Sequence, residues 1–489
     1  MKIAMIASEM APLAKVGGLA DVVGALPHAL ARLGHQVRVV LPRYASIDAA
    51  RHKLVDGPGG SPVTEVVSGE KGATRVPVHL IESPRHFGRP GIYNDPKDGK
   101  GYPDNAERFI TFQRAALGLL REIGFAPDVI HCHDHQTALI PAYLRMKEAS
   151  HFPGTGTLFT VHNLGYQGLF PPETLEVAGF DRALFYPVSP FEFWGKVNFM
   201  KIGLSFADLI TTVSPTYAQE ICTPEQGSGL EGVLQARRAD LHGVLNGIDD
   251  TYWNPAKDVH LKDHYSAAGL SGKARCKTTL LKEMGLPAGR KRVPLIGIIS
   301  RLTEQKGFDL IEKAMPELMS RDLRIVVLGA GEERYVKMFR EAQTRYPDRV
   351  GVRIGFDEAL AHLIEAGSDM FLMPSRYEPC GLNQMYSLAY GTVPIVRATG
   401  GLADTVFEEA AGERKPNGFV FGEYDAAAML AAIDRALGVY TESRKWARLA
   451  QAGMKGDYSW DRSAGLYVQL YEKAAQKAAE RAPARRQYA

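Results

Sequence analysis

One pentapeptide, Gly-Gly-Leu-Ala-Asp, is written twice in this chain, at residues 17–21 and 400–404. Each copy follows a short apolar run and opens an amphipathic one. That order reads as a β-strand, a tight turn and a helix. Glycines at such a turn let the backbone bend sharply and approach a ligand closely. The helix start beyond them offers unpaired N–H groups and a partial positive charge. Two such turns, one in each half, point to a duplicated α/β architecture with parallel sheets. Ligands in such folds bind beyond the carboxyl ends of the strands, so the two turns are expected to face each other across a cleft. Either copy alone also reads as an ordinary β-to-α turn. Lys15 adds a full positive charge beside the first copy, and the second has no lysine at that place.

The length of 489 residues agrees with two domains, because one core seldom organises so many. Apolar runs at 2–7, 36–41, 76–81, 128–132, 157–161 and 208–213 predict the strands of the first domain. Helical patterns cover 19–33, where Pro27 should kink the helix, and 106–123. Residues 56–62 and 87–104 are rich in turn formers and read as loops. The pattern pauses at Asn246-Gly247-Ile248-Asp249, and a polar stretch follows to about Arg292. Strands resume at 294–300, 323–328, 351–354, 369–373 and 393–396. The expected domains are therefore 1–245 and 246–459, with a terminal helix over 460–480 and a basic tail.

Composition narrows the function. With 45% hydrophobic and 23% charged residues the chain is globular, and a net charge of +3 gives no reason to expect a nucleic-acid or membrane surface. The four cysteines are scattered without a Cys-x-x-Cys pair, which fits a reducing compartment. No apolar run reaches the ~20 residues of a membrane span. Cytoplasm is the expected location.

Three further segments carry chemistry. Arg301 and Lys306 follow the first strand of the second domain, where a guanidinium fork and an ammonium suit a pyrophosphate. Pro374 to Gln384 follows a later strand and sets Glu378 between turn formers, ahead of Gly381, Leu382 and Asn383 at a helix start. A carboxylate for sugar hydroxyls beside amides for a phosphate suits a nucleotide sugar. Cys380 reads as a packed thiol, because no histidine partner is implied nearby. The run His131-Cys132-His133-Asp134-His135 ends a strand and has a metal-like look, but it lacks a second ligand cluster. Asp134 and some of these histidines are expected to line a polar cleft, with His162 at the same rim. Gly329-Ala330-Gly331 starts like a dinucleotide fingerprint, yet Arg334 stands where the third glycine would be. That weakens a nicotinamide dehydrogenase. The residues also leave open a nucleotide-sugar epimerase and a non-catalytic glucan-binding protein.

Together the segments resemble the ADP-glucose-dependent bacterial glycogen synthases and plant starch synthases. The resemblance rests on Lys-Val-Gly-Gly-Leu-Ala-Asp at 15–21, His-Asp at 133–134, Thr-Val-His-Asn-Leu at 160–164 and Val-Leu-Asn-Gly-Ile-Asp at 244–249. It continues in Ser-Arg-Leu-Thr-x-Gln-Lys-Gly at 300–307, Pro-Ser-Arg-x-Glu-Pro-Cys-Gly-Leu at 374–382 and Thr-Gly-Gly-Leu-Ala-Asp-Thr-Val at 399–406. It implies two Rossmann-like domains facing a central cleft, the GT-B fold, with the terminal helix packing back on the first domain. It implies glucosyl transfer from ADP-glucose to the non-reducing end of an α-1,4-glucan (glycogen or a maltooligosaccharide) with retention and without metal or cofactor. By position, Asp134, His162, Arg301, Lys306 and Glu378 would be catalytic. Lys15, Gly17, Gly18, Asn246, Phe356, Cys380, Gly381, Leu382 and Asn383 would bind substrate, with Asp21, Tyr93 and Asn163 on the acceptor side. Many relatives carry Trp where His135 stands, and some carry Thr where Asn383 stands.

Overall fold

The computed structural model describes residues 1–68, 74–288, 292–409 and 415–484. It divides into two compact units. Unit 1 combines Met1–Gly247 with the chain from Trp460 onward, and unit 2 is Ile248–Ser459. The division expected at 246 thus falls at Ile248, so Asn246 stays with unit 1. The reason is local: the Val244 N–H continues the sheet of unit 1 by donating to the Thr212 carbonyl, and Ser463 Oγ donates to the Leu245 carbonyl.

Unit 1 is built on β1 (Lys2–Ile6), β2 (Gln36–Pro42), β3 (Val63–Ser68), β4 (Thr74–Ile81), β5 (Val129–His133) and β6 (Gly156–Val161). A short ribbon, β7 (Leu169–Phe170) with β8 (Val197–Asn198), stands apart from the sheet. β9 (Leu209–Thr212) and β10 (Leu241–Gly243) complete the set. The sheet order is β10-β9-β6-β5-β1-β2-β4-β3, parallel except for the β3–β4 pair. β1 reads as an almost continuous apolar run, and β5 and β6 are buried along their whole length, because both faces of the sheet are covered. The helix Gly18–Arg32 begins at the second glycine of the first pentapeptide, and Pro27 lies inside it.

The C-terminal helix Trp460–Ala484 packs on this unit. A side chain at Gly156 would collide with the helix backbone at Ala474, 2.6 Å away. Tyr471 and His131 Nδ1 share a 2.8 Å hydrogen bond inside the core.

Unit 2 holds β11 (Leu295–Ile299), β12 (Arg324–Gly329), β13 (Val350–Ile354), β14 (Met370–Met373), β15 (Val393–Arg397) and β16 (Phe419–Phe421). They form one parallel sheet in the order β13-β12-β11-β14-β15-β16. Numbered from β11, that is the 3-2-1-4-5-6 order of a dinucleotide-type fold. Alternate residues serve opposite faces: Ile325 and Val327 enter one core, Val326 and Leu328 the other. The helix Ser271–Glu283 lies where the sequence suggests only a polar stretch. It buries Gly272, Cys276, Leu280 and Leu281, a stripe with too few large apolar residues to stand out among lysines. β16 escapes the strand pattern because three residues are too few to show alternation.

Candidate active site

Parallel strand orders reverse at one point, and loops diverging there leave a crevice. In unit 1 the reversal lies between β1 and β5. Ser8 and Glu9 follow β1 directly. Glu9 is buried, and its Oε2 accepts the N–H groups of Val16 and Gly17 at 2.6 and 2.9 Å. Its Oε1 accepts the Tyr93 hydroxyl at 2.6 Å, and that hydroxyl lies 2.7 Å from Ser8 Oγ. Glu9 therefore folds the first glycine loop into shape, and the Gly17 amide is already engaged by a carboxylate. A Cβ on Gly17 would meet nothing within 4 Å, and Gly18 is exposed. Lys15 is more than half exposed and sits 2.6 Å from Asp21 Oδ1. Burial pushes the Asp21 carboxyl up, and the Lys15 charge opposes that shift.

Asp134 ends β5 in an unusual backbone conformation, with φ +57° and ψ −177°. For a residue with a side chain this costs on the order of 1–3 kcal/mol. The geometry turns the carboxylate toward the end of β6, where Oδ1 accepts the His162 N–H at 2.8 Å and the Asn163 N–H also donates. Burial raises the Asp134 carboxyl to about 7, and the Glu9 charge adds to the rise. The same burial holds His162 down to about 3. His162 Nε2 is 3.0 Å from His133 Nδ1, so two neutral imidazoles pair beside Asp134. His131 stacks on His133 but is committed to Tyr471 and Thr160. It fastens the C-terminal helix and lines no cleft. His135 Nδ1 donates to the Tyr166 carbonyl at 3.0 Å. Among the described residues, no group of three or more His, Cys, Asp or Glu side chains could hold a metal ion.

In unit 2 the reversal lies between β11 and β14. A cavity of about 400 Å³ opens there, lined by Arg301, Lys306, Phe356, Glu378, Leu382 and Asn383 among others. Lys306 Nζ donates to Glu378 Oε2 at 2.6 Å, and Ser375 Oγ donates to the same oxygen at 3.0 Å. Arg301 is exposed, with its guanidinium only 3.5 Å from Gln305 Oε1. Phe356 stands 90% exposed at the rim. Gly381, with φ +70°, turns the chain into the helix Asn383–Ala389. The Asn383 side chain donates to the Ile299 carbonyl at 2.9 Å, so it ties the helix to β11. Cys380 departs from the expected binding set. It is buried outside the cavity, and its carbonyl accepts Gln384 Nε2 at 3.0 Å.

The second pentapeptide has a mechanical role. A Cβ on Gly400 would lie 2.0 Å from the Glu378 carbonyl oxygen, and one on Gly401 2.0 Å from that of Cys380. The Gly401 N–H donates to the Glu378 carbonyl at 3.1 Å. These glycines are bare so that the loop carrying Glu378 can lie directly on them.

Residues 2–236 match the starch synthase catalytic domain family, and residues 287–452 match the group 1 glycosyl transferases. The glycogen synthase of Syntrophotalea carbinolica is 48% identical over 97% of this chain and 99% of its own length. That of Anaeromyxobacter dehalogenans is 50% identical over 97% and 100%. The chain belongs to the glycogen and starch synthase family. The catalytic domain of starch synthase IV from Arabidopsis thaliana, solved with ADP and acarbose, shares 37% identity and a TM-score of 0.87 over 97% of this chain and 99% of that one. Sucrose-phosphate synthase from Thermosynechococcus elongatus shares the fold at TM-score 0.61 and 19% identity, over 96% and 98% of the two chains. The fold is GT-B, and the family makes the chain a glycosyltransferase of glycogen biosynthesis.

Each expected residue now has a place. Arg301, Lys306, Phe356, Glu378, Gly381, Leu382 and Asn383 gather in the cavity of unit 2. Asp134, His162 and Asn163 meet in unit 1, as do Lys15, Asp21 and Tyr93 around the Glu9 loop. Asn246 is buried in unit 1 with its side-chain oxygen unpartnered. Glu9 and Ser375 lie outside the expected residues, whereas His133 belongs to the histidine run expected beside Asp134. Glu9 had a signal, since Ser8-Glu9 directly follows an apolar strand. His133 and Ser375 act through neighbours that only the fold supplies.

Proposed function

We propose that this chain transfers glucose from ADP-glucose to the non-reducing end of an α-1,4-glucan with retention of configuration. The observation that carries the reading is the cavity at the β11–β14 reversal, where two cations meet a buried carboxylate. The cations suit the diphosphate of the donor and Glu378 suits the hydroxyls of its glucose. Phe356 at the rim suits the adenine.

Breaking the glucose–phosphate bond leaves positive charge on the sugar, as in an oxocarbenium-like transition state, and negative charge on ADP. Arg301 and Lys306 would stabilise the departing ADP as its charge grows, and one such donor contributes ~3 kcal/mol. Lys306 is ion-paired to Glu378, so the diphosphate would share its charge with that carboxylate. In unit 1, the neutral His162 would hold the glucose by a hydrogen bond without adding charge near the reacting carbon. Asp134 would offset the positive charge on the sugar once ionised. Our preferred course is attack from the face the phosphate leaves, with that phosphate taking the acceptor proton. Phosphate charge is then met by side chains of this chain, without a metal. Among the described residues, no helix is long and apolar enough to cross a membrane. A cytoplasmic enzyme acting on a dissolved polymer fits this reading.

Radiolabelled ADP-glucose incubated with glycogen should place label in precipitated polymer, and UDP-glucose in parallel tests donor choice. Arg301→Ala and Lys306→Ala should lower kcat far more than they raise donor KM. Unchanged kcat in both variants would sink the assignment of these residues.

A further inference from the structure

A loop of unit 1 presents a tryptophan to solvent at visible structural cost. Phe193 and Lys196 exchange backbone hydrogen bonds at 2.8 and 3.0 Å, closing a two-residue turn. Trp194 and Gly195 form its tip with φ +52° and +76°. Such turns usually place Asn, Asp or Gly first, because a side chain strains the backbone there. Here the strained place holds an indole that is 85% exposed.

The loop beneath is clamped. Lys201 is buried, and its Nζ donates to the carbonyls of Ser189 and Glu192 at 2.8 and 2.6 Å. Loss of water around that ammonium pushes its pKa down. The Gly195 N–H donates to Glu192 Oε1 at 2.8 Å. Phe193 packs on the bare face of Gly229, where a Cβ would come within 2.9 Å of the ring. Strain, a buried cation and close packing together hold the turn that carries this exposed indole in one place. A rigid aromatic anchor binds at low entropic cost.

The loop also connects to the Asp134 region. Lys196 leads into β8, which pairs with β7 through Val197–Phe170 and Asn198–Leu169. Just before β7, the Tyr166 carbonyl accepts His135 Nδ1, one residue beyond Asp134. Tyr166, Leu169 and Trp194 are the exposed large side chains along this ribbon, at 56, 45 and 85%. The tip carries one acid, Glu192, and one base, Lys196, so it has no net charge to recruit an ionic ligand. An uncharged partner with flat apolar faces and many hydroxyls fits best. The C–H face of a glucose ring stacks on an indole, and the indole N–H donates to a hydroxyl.

We propose that Trp194 is a stacking subsite for an α-glucan chain, gripping glucose units remote from the reacting end. The inference rests on the glucan-acceptor reading above. It makes Trp194 a determinant of acceptor length and gives it no part in bond breaking.

Kinetics with glycogen and with maltotriose as acceptors test it. Trp194→Ala should raise the KM for glycogen about fivefold to tenfold, the range one aromatic contact supports, and leave the KM for maltotriose and both kcat values in place. Trp194→Phe should recover most of the loss. An unchanged glycogen KM in Trp194→Ala overturns the proposal, and so does an equal loss with both acceptors. A change in oligomeric state with unchanged glycogen KM overturns it too, assigning the indole to a second copy. If the wild-type chain transfers glucose to neither acceptor, the glucan-acceptor reading itself fails. Tryptophan fluorescence during maltoheptaose titration then decides the subsite separately: a change lost in Trp194→Phe supports it, and no change overturns it.

Discussion

Replacing Gly401 by alanine tests whether the second pentapeptide works as a seat for the Glu378 loop. The new Cβ would stand 2.0 Å from the Cys380 carbonyl oxygen, where real contacts essentially never fall under 3.0 Å. Relief requires a shift of about 1 Å in backbone that also carries Glu378. The Glu378 carboxylate is held to Lys306 at 2.6 Å, so the pair would lose its geometry. A misplacement of about 1 Å in a positioned group lowers the rate roughly 10²-fold. In barrier terms that is about 2.7 kcal/mol. Overpacking would also lower stability by about 1–3 kcal/mol, or roughly 2–4 °C of melting temperature per kcal/mol in a unit of this size. A control is Gly17→Ala, at the first glycine of the first pentapeptide, where a Cβ meets open space. Its melting temperature should equal that of the wild type. Glucose incorporation and thermal unfolding, measured on both variants, settle the matter. If Gly401→Ala keeps wild-type kcat and melting temperature, or Gly17→Ala destabilises equally, the seat has no mechanical role.

Two further outcomes follow from buried charge. Asp134 has a folded-state pKa near 7, above its ordinary 3.8, so folding disfavours its ionised form. Its contribution to stability is therefore greatest below about pH 4 and falls as pH rises toward 7. Asp134→Asn should flatten that slope in urea unfolding across this range, and an unchanged slope would refute the assignment. Lys306→Met should destabilise unit 2 by about 3–5 kcal/mol, because it removes the cation paired with the buried Glu378 carboxylate. Adding Glu378→Gln should recover most of that loss in a double-mutant cycle. Strict additivity would show that the pair is not coupled.

Much of the framework is legible in the sequence because parallel strands buried on both faces read as plain apolar runs. The stretches after β11 and β14 could be placed at strand ends for the same reason. Their meeting depends on strand order, which short-range patterns do not encode. The repeated pentapeptide shows the limit well. Its two copies are identical in letters, yet at the first glycine Gly17 faces open space and Gly400 lies against the Glu378 carbonyl. Only the neighbours, far away in sequence, distinguish an open turn from a seat. Glu9 is a similar case. Its place after β1 was visible, but its hold on Val16, Gly17 and Tyr93 depends on the loop folding back. Cys380 lies inside a binding motif, yet its side chain is buried outside the cavity, as a packed thiol is.

Unit 1 is closed by the last helix of the chain, and that sets an order of events on the ribosome. Residues 248–459 emerge as one contiguous stretch, so unit 2 has its full complement of strands before Trp460 is made. Nascent proteins usually complete their N-terminal domain first. Here the earlier half must wait for Tyr471 to reach His131, on the strand that Asp134 follows. An unfinished polypeptide therefore gains the cavity lined by Arg301 and Lys306 early and the helix behind its Asp134 strand late, so a chain released too soon lacks the support on which that carboxylate stands.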